Sequence, residues 1–223
     1  MKINNLTKKC FAEFIGTFAL VFAGTGAVVV NAQTNALGQV GIALVFGFVV
    51  AVIVYSIGHI SGAHINPAVT LALFLDKKFG KKEVIPYIVS QLLGAVAASI
   101  LVLAVLGNNA YIGATLPKDN NYMQSFYLEI VLTFFLMFAI LGSTDGKAYK
   151  QFGGLAIGFV VGLDAMFGGP ISGASMNPAR SFGPALLSGN FSYHWVYWLA
   201  PIIGALIAVY AYRLMQITRA GVE

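Results

Sequence analysis

Charged side chains are scarce in this sequence of 223 residues, since Asp, Glu, Lys and Arg make up only 9% of it. A typical soluble domain contains about 25% charged residues, and a soluble fold with so few could not cover its own surface. This shortage excludes a soluble enzyme, a nucleic-acid binder and a disordered protein as leading interpretations. Hydrophobic residues make up 58% of the chain, which indicates an integral membrane protein.

Cysteine is nearly absent as well. The single cysteine, Cys10, allows neither a disulfide framework nor a thiolate cluster for a metal. The three histidines lack metal-ligand spacing, and we find no nucleophile–base pair and no phosphate-binding loop. The N-terminus has no small-residue cleavage site after a short apolar run, so we expect no cleaved signal peptide. The sequence therefore predicts no enzyme, no metal site and no cofactor.

What the sequence does contain is six apolar stretches, each near the length that a helix needs to cross a bilayer. They cover residues 10–31, 39–59, 84–106, 125–142, 152–168 and 194–214. Polar and glycine-containing connections separate them, and none alternates apolar with polar residues as a barrel strand would. We therefore predict an all-α membrane protein with six transmembrane helices.

The basic residues fall on one side of this six-helix arrangement. Eleven of the 13 precede the first stretch or follow the second, fourth or sixth: Lys2, Lys8, Lys9, Lys77, Lys78, Lys81, Lys82, Lys147, Lys150, Arg213 and Arg219. The exceptions are Lys118, in a loop on the other side, and Arg180, in an apolar region. The positive-inside rule then predicts that both termini are cytoplasmic, in a multi-pass protein of the cell (plasma or inner) membrane.

The chain contains an internal repeat. Residues 60–68 (Ile-Ser-Gly-Ala-His-Ile-Asn-Pro-Ala) and 171–179 (Ile-Ser-Gly-Ala-Ser-Met-Asn-Pro-Ala) match at seven of nine positions. Each half holds three spans, and because three is an odd number the halves must have opposite orientations in the membrane. We predict a single membrane domain made of two inverted repeats, residues 1–115 and 116–223.

Each Asn-Pro-Ala begins a segment that is too short to cross the bilayer. Asn is a favoured N-cap and Pro suits the first helical position, so we predict half-helices over about 67–76 and 178–187. Their length of about 15 Å is half the hydrocarbon thickness. We expect irregular backbone before them, over 58–65 and 168–176, which must line water or be buried in protein.

The two half-helices would meet at their N-termini in the middle of the membrane. Each capping Asn uses its side-chain oxygen on the helix, which leaves the NH2 groups of Asn66 and Asn177 to donate into a lumen. The positive ends of the two helix dipoles would oppose a cation there, but not a neutral molecule that forms hydrogen bonds.

At these motifs the sequence resembles the aquaporin (major intrinsic protein) family, and the resemblance covers essentially the whole chain. The family's paired motifs fall on Asn66, Pro67, Ala68, Asn177, Pro178 and Ala179. The resemblance implies the aquaporin fold, a homotetramer in the lipid bilayer with one pore per subunit, and passive transport. It implies no cofactor and no nucleic-acid partner.

The family has a narrow aromatic/arginine filter near the outer mouth of the pore. By ungapped counting its four positions fall on Phe46, Ala165, Ala174 and Arg180, where Arg180 presents a guanidinium to solutes and repels cations. Strict water channels carry His at the position of Ala165. The filter is therefore expected to be wider and more apolar, and the region from Gly169 to Arg180 is similar to the plant nodulin-26-like branch. An archaeal branch also lacks the His.

Other positions favour a water channel. Glycerol facilitators carry an Asp and a Lys where this sequence has Ser181 and Ala185, and they usually have longer loops. The aromatic-Trp pair of water channels is present as Tyr197-Trp198. We therefore predict a water channel with some permeability to small neutral solutes such as glycerol, with a glycerol-type facilitator as the alternative. An ion-coupled secondary transporter is a distant third.

Glu13, Glu129 and Asp164 lie inside predicted spans, where ionisable groups are expensive and usually functional. In the family such residues hold the re-entrant loops by accepting backbone N–H bonds, which gives Glu13 and Glu129 that role here. His64 is expected to line the inner vestibule. Asp164 either pairs with Arg180 or faces the outer vestibule.

Overall fold

The computed structural model of the protein describes residues 4–145 and 150–220. In that part of the chain it has eight α-helices: α1 (Asn5–Thr34), α2 (Gly38–Ser61), α3 (Pro67–Leu75), α4 (Lys81–Leu106), α5 (Tyr122–Asp145), α6 (Gly153–Ser172), α7 (Pro178–Ser188) and α8 (Val196–Ala220). Short 3-10 turns lie between α4 and α5 and just before α6.

Six of these helices, all except α3 and α7, are long and apolar enough to cross a membrane. This confirms the prediction of six spans and indicates a multi-pass membrane protein. Large apolar side chains such as Phe48, Phe135 and Phe159 are exposed on the outside of the bundle. Such an apolar exterior suits contact with lipid rather than with water.

The ends of α2 and α6 were predicted too early. Both helices continue beyond residues 59 and 168, to Ser61 and Ser172. Each ends at a glycine in the left-handed conformation, Gly62 or Gly173, whose N–H bonds a carbonyl of the last helical turn. Because glycine adopts this conformation without a steric penalty, it terminates the helix there. The irregular backbone is therefore limited to about four residues before each Asn.

Close helix crossings at glycine hold the bundle together. A Cβ on Gly94 of α4 would lie 2.4 Å from the Phe14 carbonyl oxygen of α1, and one on Gly204 of α8 would lie 2.2 Å from the Ile130 oxygen of α5. Only glycine permits an approach this close. The α1–α4 pair in the first half and the α5–α8 pair in the second therefore pack through equivalent glycines.

The two halves contact each other through α2 and α6. A Cβ on Gly47 would lie 2.7 Å from the Gly158 oxygen, and one on Gly158 would lie 2.5 Å from the Gly47 oxygen. This reciprocal contact brings the backbones of α2 and α6 together. Both helices also contribute residues to the wall of the cavity described below.

Candidate pore

Asn66 and Asn177 cap the N-termini of α3 and α7. The Asn66 Oδ1 accepts from the Ala68 N–H at 2.8 Å, and the Asn177 Oδ1 accepts from the Ala179 N–H at 3.0 Å. The proline that follows each Asn occupies the first helical position, where its missing N–H is not needed. The sequence pattern Asn-Pro-Ala therefore fixes both helix starts locally.

The two asparagines also bind the opposite half of the chain. The Asn66 Nδ2 donates to the Met176 carbonyl at 2.8 Å, and the Asn177 Nδ2 donates to the Ile65 carbonyl at 2.8 Å. These two hydrogen bonds were not predicted from the sequence, which indicated only that both NH2 groups donate into a lumen. Each amide has two N–H groups, so one hydrogen on each remains for a permeating molecule.

The segments before the two asparagines alternate in backbone conformation. Ala63 and Ile65 in the first half, and Ala174 and Met176 in the second, have φ between 41° and 53°. A left-handed conformation costs a non-glycine residue about 1–2 kcal/mol. These segments therefore need external support, which two buried glutamates give them.

Glu13 of α1 holds the first segment. Its Oε1 accepts from the His64 N–H at 2.9 Å, and its Oε2 accepts from the Ile65 N–H at 2.6 Å. Ser61 Oγ and Gln91 Nε2 also donate to this carboxylate, at 2.7 and 2.8 Å. The buried carboxylate is thus surrounded by donors, which offsets the cost of its burial.

Glu129 of α5 holds the second segment in the same way. Its Oε1 accepts from the Ser172 hydroxyl at 2.7 Å and the Ser175 N–H at 2.8 Å. Its Oε2 accepts from the Met176 N–H at 2.7 Å. The side chain of Glu129 is fully buried, so no water replaces these bonds if the carboxylate is lost.

A cavity of about 100 Å³ runs between these segments and the long helices. It contacts both asparagines and brings together the four predicted filter residues, Phe46, Ala165, Ala174 and Arg180. His64 also lines it, with its Nδ1 at 3.2 Å from the Thr70 Oγ1. The rest of the wall is mostly aliphatic: Leu20, Val50, Val54, Leu136, Ile157 and Val161.

Among the residues that the structure describes, Arg180 is the one cation on the wall of this cavity. It is 3% exposed, its Nη1 donates to the Gly113 carbonyl at 2.8 Å, and its Cζ lies 5.1 Å from the centre of the Phe46 ring. Within the described residues its Nε makes no hydrogen bond. The guanidinium is thus held at one end, with donor capacity left for a solute.

The family model of the major intrinsic proteins matches residues 1–212. The chain belongs to the major intrinsic protein family. Nodulin-26 of Glycine max is 45% identical over 95% of this chain and 79% of that protein. Aquaporin NIP1-1 of Zea mays is 46% identical over 95% of this chain and 76% of that protein. The predicted relationship to the aquaporins is thereby confirmed.

A solved structure supports the fold of this major intrinsic protein. The X-ray structure of the aquaglyceroporin from Plasmodium falciparum matches with a TM-score of 0.83 and 28% sequence identity. The match covers 93% of this chain and 95% of that chain. The predicted aquaporin fold is therefore confirmed.

The role of Gly113 was not predicted from the sequence. This residue lies in the turn between α4 and α5 and supplies the carbonyl that holds Arg180. Its φ is +72°, and a Cβ there would lie 2.8 Å from the Thr25 Cβ. Glycine is thus required twice, for conformation and for space. A lone loop glycine 67 residues from its partner carries no local pattern that would identify it.

Asp164 does not form the predicted pair with Arg180. It is 5% exposed, and it makes no ion pair with Arg180 in the described part of the chain. Its Oδ2 is buried without a hydrogen-bond partner. The predicted pairing is therefore wrong for this major intrinsic protein, and a position at the outer vestibule stays a prediction.

Replacing Asp164→Asn should stabilise the protein by about 1–3 kcal/mol, because it removes a buried carboxylate that lacks a full set of partners. Water permeation should not change. Thermal unfolding in detergent measures the first effect, with Asp119→Asn in an exposed loop as the control. A loss of stability on Asp164→Asn would show that this carboxylate has a partner that stabilises it.

Proposed function

We propose that this major intrinsic protein is a passive channel for water that also admits small neutral solutes such as glycerol. The observation that carries the proposal is one cavity that places both asparagine amides and Arg180 along a mostly apolar wall. A neutral molecule that forms hydrogen bonds meets donors there. A cation meets a guanidinium and two helix N-termini, which oppose its entry.

The size of the filter residues supports passage of solutes larger than water. Ala165 and Ala174 have only methyl side chains, whereas the other two filter residues, Phe46 and Arg180, are larger. The filter set therefore combines apolar side chains with one strong donor, Arg180, which suits a small polyol. The named relatives include aquaporins and an aquaglyceroporin, and we propose transport rather than catalysis as the activity of this chain.

We further propose that residues 1–115 and 116–223 form two inverted repeats in one membrane domain. The equivalent roles of Glu13 and Glu129, and of Gly94 and Gly204, support this proposal. The distribution of basic residues supports cytoplasmic termini in the cell membrane. The family resemblance supports assembly as a homotetramer, with one pore in each subunit.

Stopped-flow light scattering on proteoliposomes tests the channel proposal. We expect osmotic shrinkage and glycerol re-swelling both to be faster than in empty vesicles, at every pH and sodium concentration. Fast shrinkage without faster re-swelling would restrict the channel to water, and much faster re-swelling would favour a facilitator. Flux that depends on a sodium or proton gradient would replace the proposal with a coupled transporter.

A further inference from the structure

A glutamine side chain joins α2 to α6 beside the filter. The Gln39 Nε2 donates to the Ala165 carbonyl at 2.6 Å, across 126 residues of sequence. Gln39 is half-buried near the start of α2, and it precedes Phe46 by seven residues, which is two helical turns. The two side chains therefore lie on the same face of α2. The bond thus connects the helix that carries one filter residue, Phe46, to the backbone of another, Ala165.

The backbone of α6 is adapted to receive this side chain. A Cβ on Gly169 would lie 2.4 Å from the Gln39 Nε2, so an alanine there would force the amide to move. Pro170 follows inside the helix, and because proline lacks an N–H it leaves the Met166 carbonyl without its usual helical donor. This end of α6 is consequently held less firmly by its own hydrogen bonds than the rest of the helix.

On the basis of the proposed function, we propose that Gln39 is a positioning residue that sets the size limit of the filter. Its hydrogen bond holds α6 against α2 and so fixes the separation between Phe46 and Ala165. Loss of one neutral hydrogen bond changes the equilibrium constant between α6 held against α2 and α6 released from it by about fivefold. Without the bond, the end of α6 separates from α2 and the filter widens.

The test compares Gln39→Leu with a matched control, Gln33→Leu. The Gln33 Nε2 also donates to a backbone carbonyl, that of Leu106, at 2.7 Å, but it joins α1 to α4 and its side chain is outside the cavity. We expect Gln39→Leu to raise the ratio of glycerol to water permeability about threefold or more, since pore diameter limits the larger solute first. Gln33→Leu should leave the ratio at the wild-type value.

A second variant, in α6, disrupts the same hydrogen bond between Gln39 and Ala165. Gly169→Ala places a methyl group where the Gln39 amide lies, so it should displace the amide and change the ratio in the same direction. Thermal unfolding of each purified variant shows which ones are folded. If Gln39→Leu does not fold, the permeability ratio of Gly169→Ala is the result that decides. A folded variant with a shifted ratio supports a role in selectivity that a merely structural bond would not have.

Two results would overturn the inference. The first is an unchanged glycerol-to-water ratio in a folded Gln39→Leu or Gly169→Ala protein. The second is an equal change in the Gln33→Leu control, which would indicate general loosening of the bundle. Wild-type proteoliposomes that pass neither water nor glycerol faster than empty vesicles would instead contradict the proposed function.

Discussion

Replacing Ala165→His should lower glycerol permeation by about tenfold or more, while water permeation falls by no more than about threefold. Ala165 of α6 lines the same cavity as Phe46 of α2 and Arg180 of α7. Because Ala165 lines this cavity, an imidazole ring in place of a methyl group narrows the path that glycerol needs. A single file of water molecules requires less width.

Stopped-flow measurements on proteoliposomes of the wild type and the variant check this result. Ala165→Ser is the matched control, because it adds a hydroxyl group without adding a ring. It should retain both permeabilities within about twofold, as expected for a change that leaves pore diameter nearly constant. Equal loss of water and glycerol permeation in Ala165→His would show that Ala165 does not discriminate between them.

Replacing Glu129→Ala should prevent the protein from folding to a conducting state. The change leaves the N–H groups of Ser175 and Met176 and the Ser172 hydroxyl without their acceptor. Each buried donor without a partner costs about 1–3 kcal/mol. The sum approaches the whole stability of a typical domain, about 5–15 kcal/mol. The left-handed residues Ala174 and Met176 also lose the contact that holds them.

Thermal unfolding and water flux of purified protein measure this effect. Glu83→Ala is the matched control, since Glu83 forms a partly exposed ion pair with Lys9 at 2.9 Å and surface pairs contribute only about 0–1 kcal/mol. Glu129→Gln retains one acceptor oxygen, so it should lie between the wild type and Glu129→Ala. A folded Glu129→Ala protein with wild-type flux would show that the loop keeps its conformation without the carboxylate.

Local patterns predicted the helices well, because helix length and helix start are local properties. The apolar stretches gave six spans, and Asn66-Pro67 and Asn177-Pro178 gave the starts of α3 and α7 through capping alone. The ends of α2 and α6 are set by Gly62 and Gly173. These are two of 25 glycines in the sequence, so the helix ends were harder to predict than the starts. Residue type alone does not fix the left-handed φ at which a helix ends.

Contacts between distant parts of the chain were harder to predict. The resemblance to the aquaporin family, counted from the two Asn-Pro-Ala motifs, brought Phe46, Ala165, Ala174 and Arg180 forward as a set, and the structure places all four on one cavity. Gly113 remained unseen, since its contact with Arg180 depends on how the α4–α5 connection folds.

Two further residues show the same limit. The Gln39 side chain donates to the backbone carbonyl of Ala165. Because every residue has a backbone carbonyl, the identity of the acceptor residue does not reveal this bond. The pairing of Asp164 was wrong for a related reason, because the rotation of α6 about its axis decides what that residue faces.

The cavity that contacts the two asparagines is the proposed permeation path, and a thiol reagent that blocks the cavity tests this proposal. Cys10 is the only cysteine in the sequence, so Cys10→Ser provides a background without thiols. In that background Ala165→Cys places a thiol in the cavity. Leu163→Cys, on the same helix, places one at a position that is 61% exposed on the outside.

A small methanethiosulfonate reagent should abolish water and glycerol flux through the Ala165→Cys channel, and a reducing agent should restore both. The Leu163→Cys channel should be unaffected by the same treatment. Undiminished flux through Ala165→Cys protein whose thiol is shown by mass to be modified would contradict the account, since solute would then cross by another path.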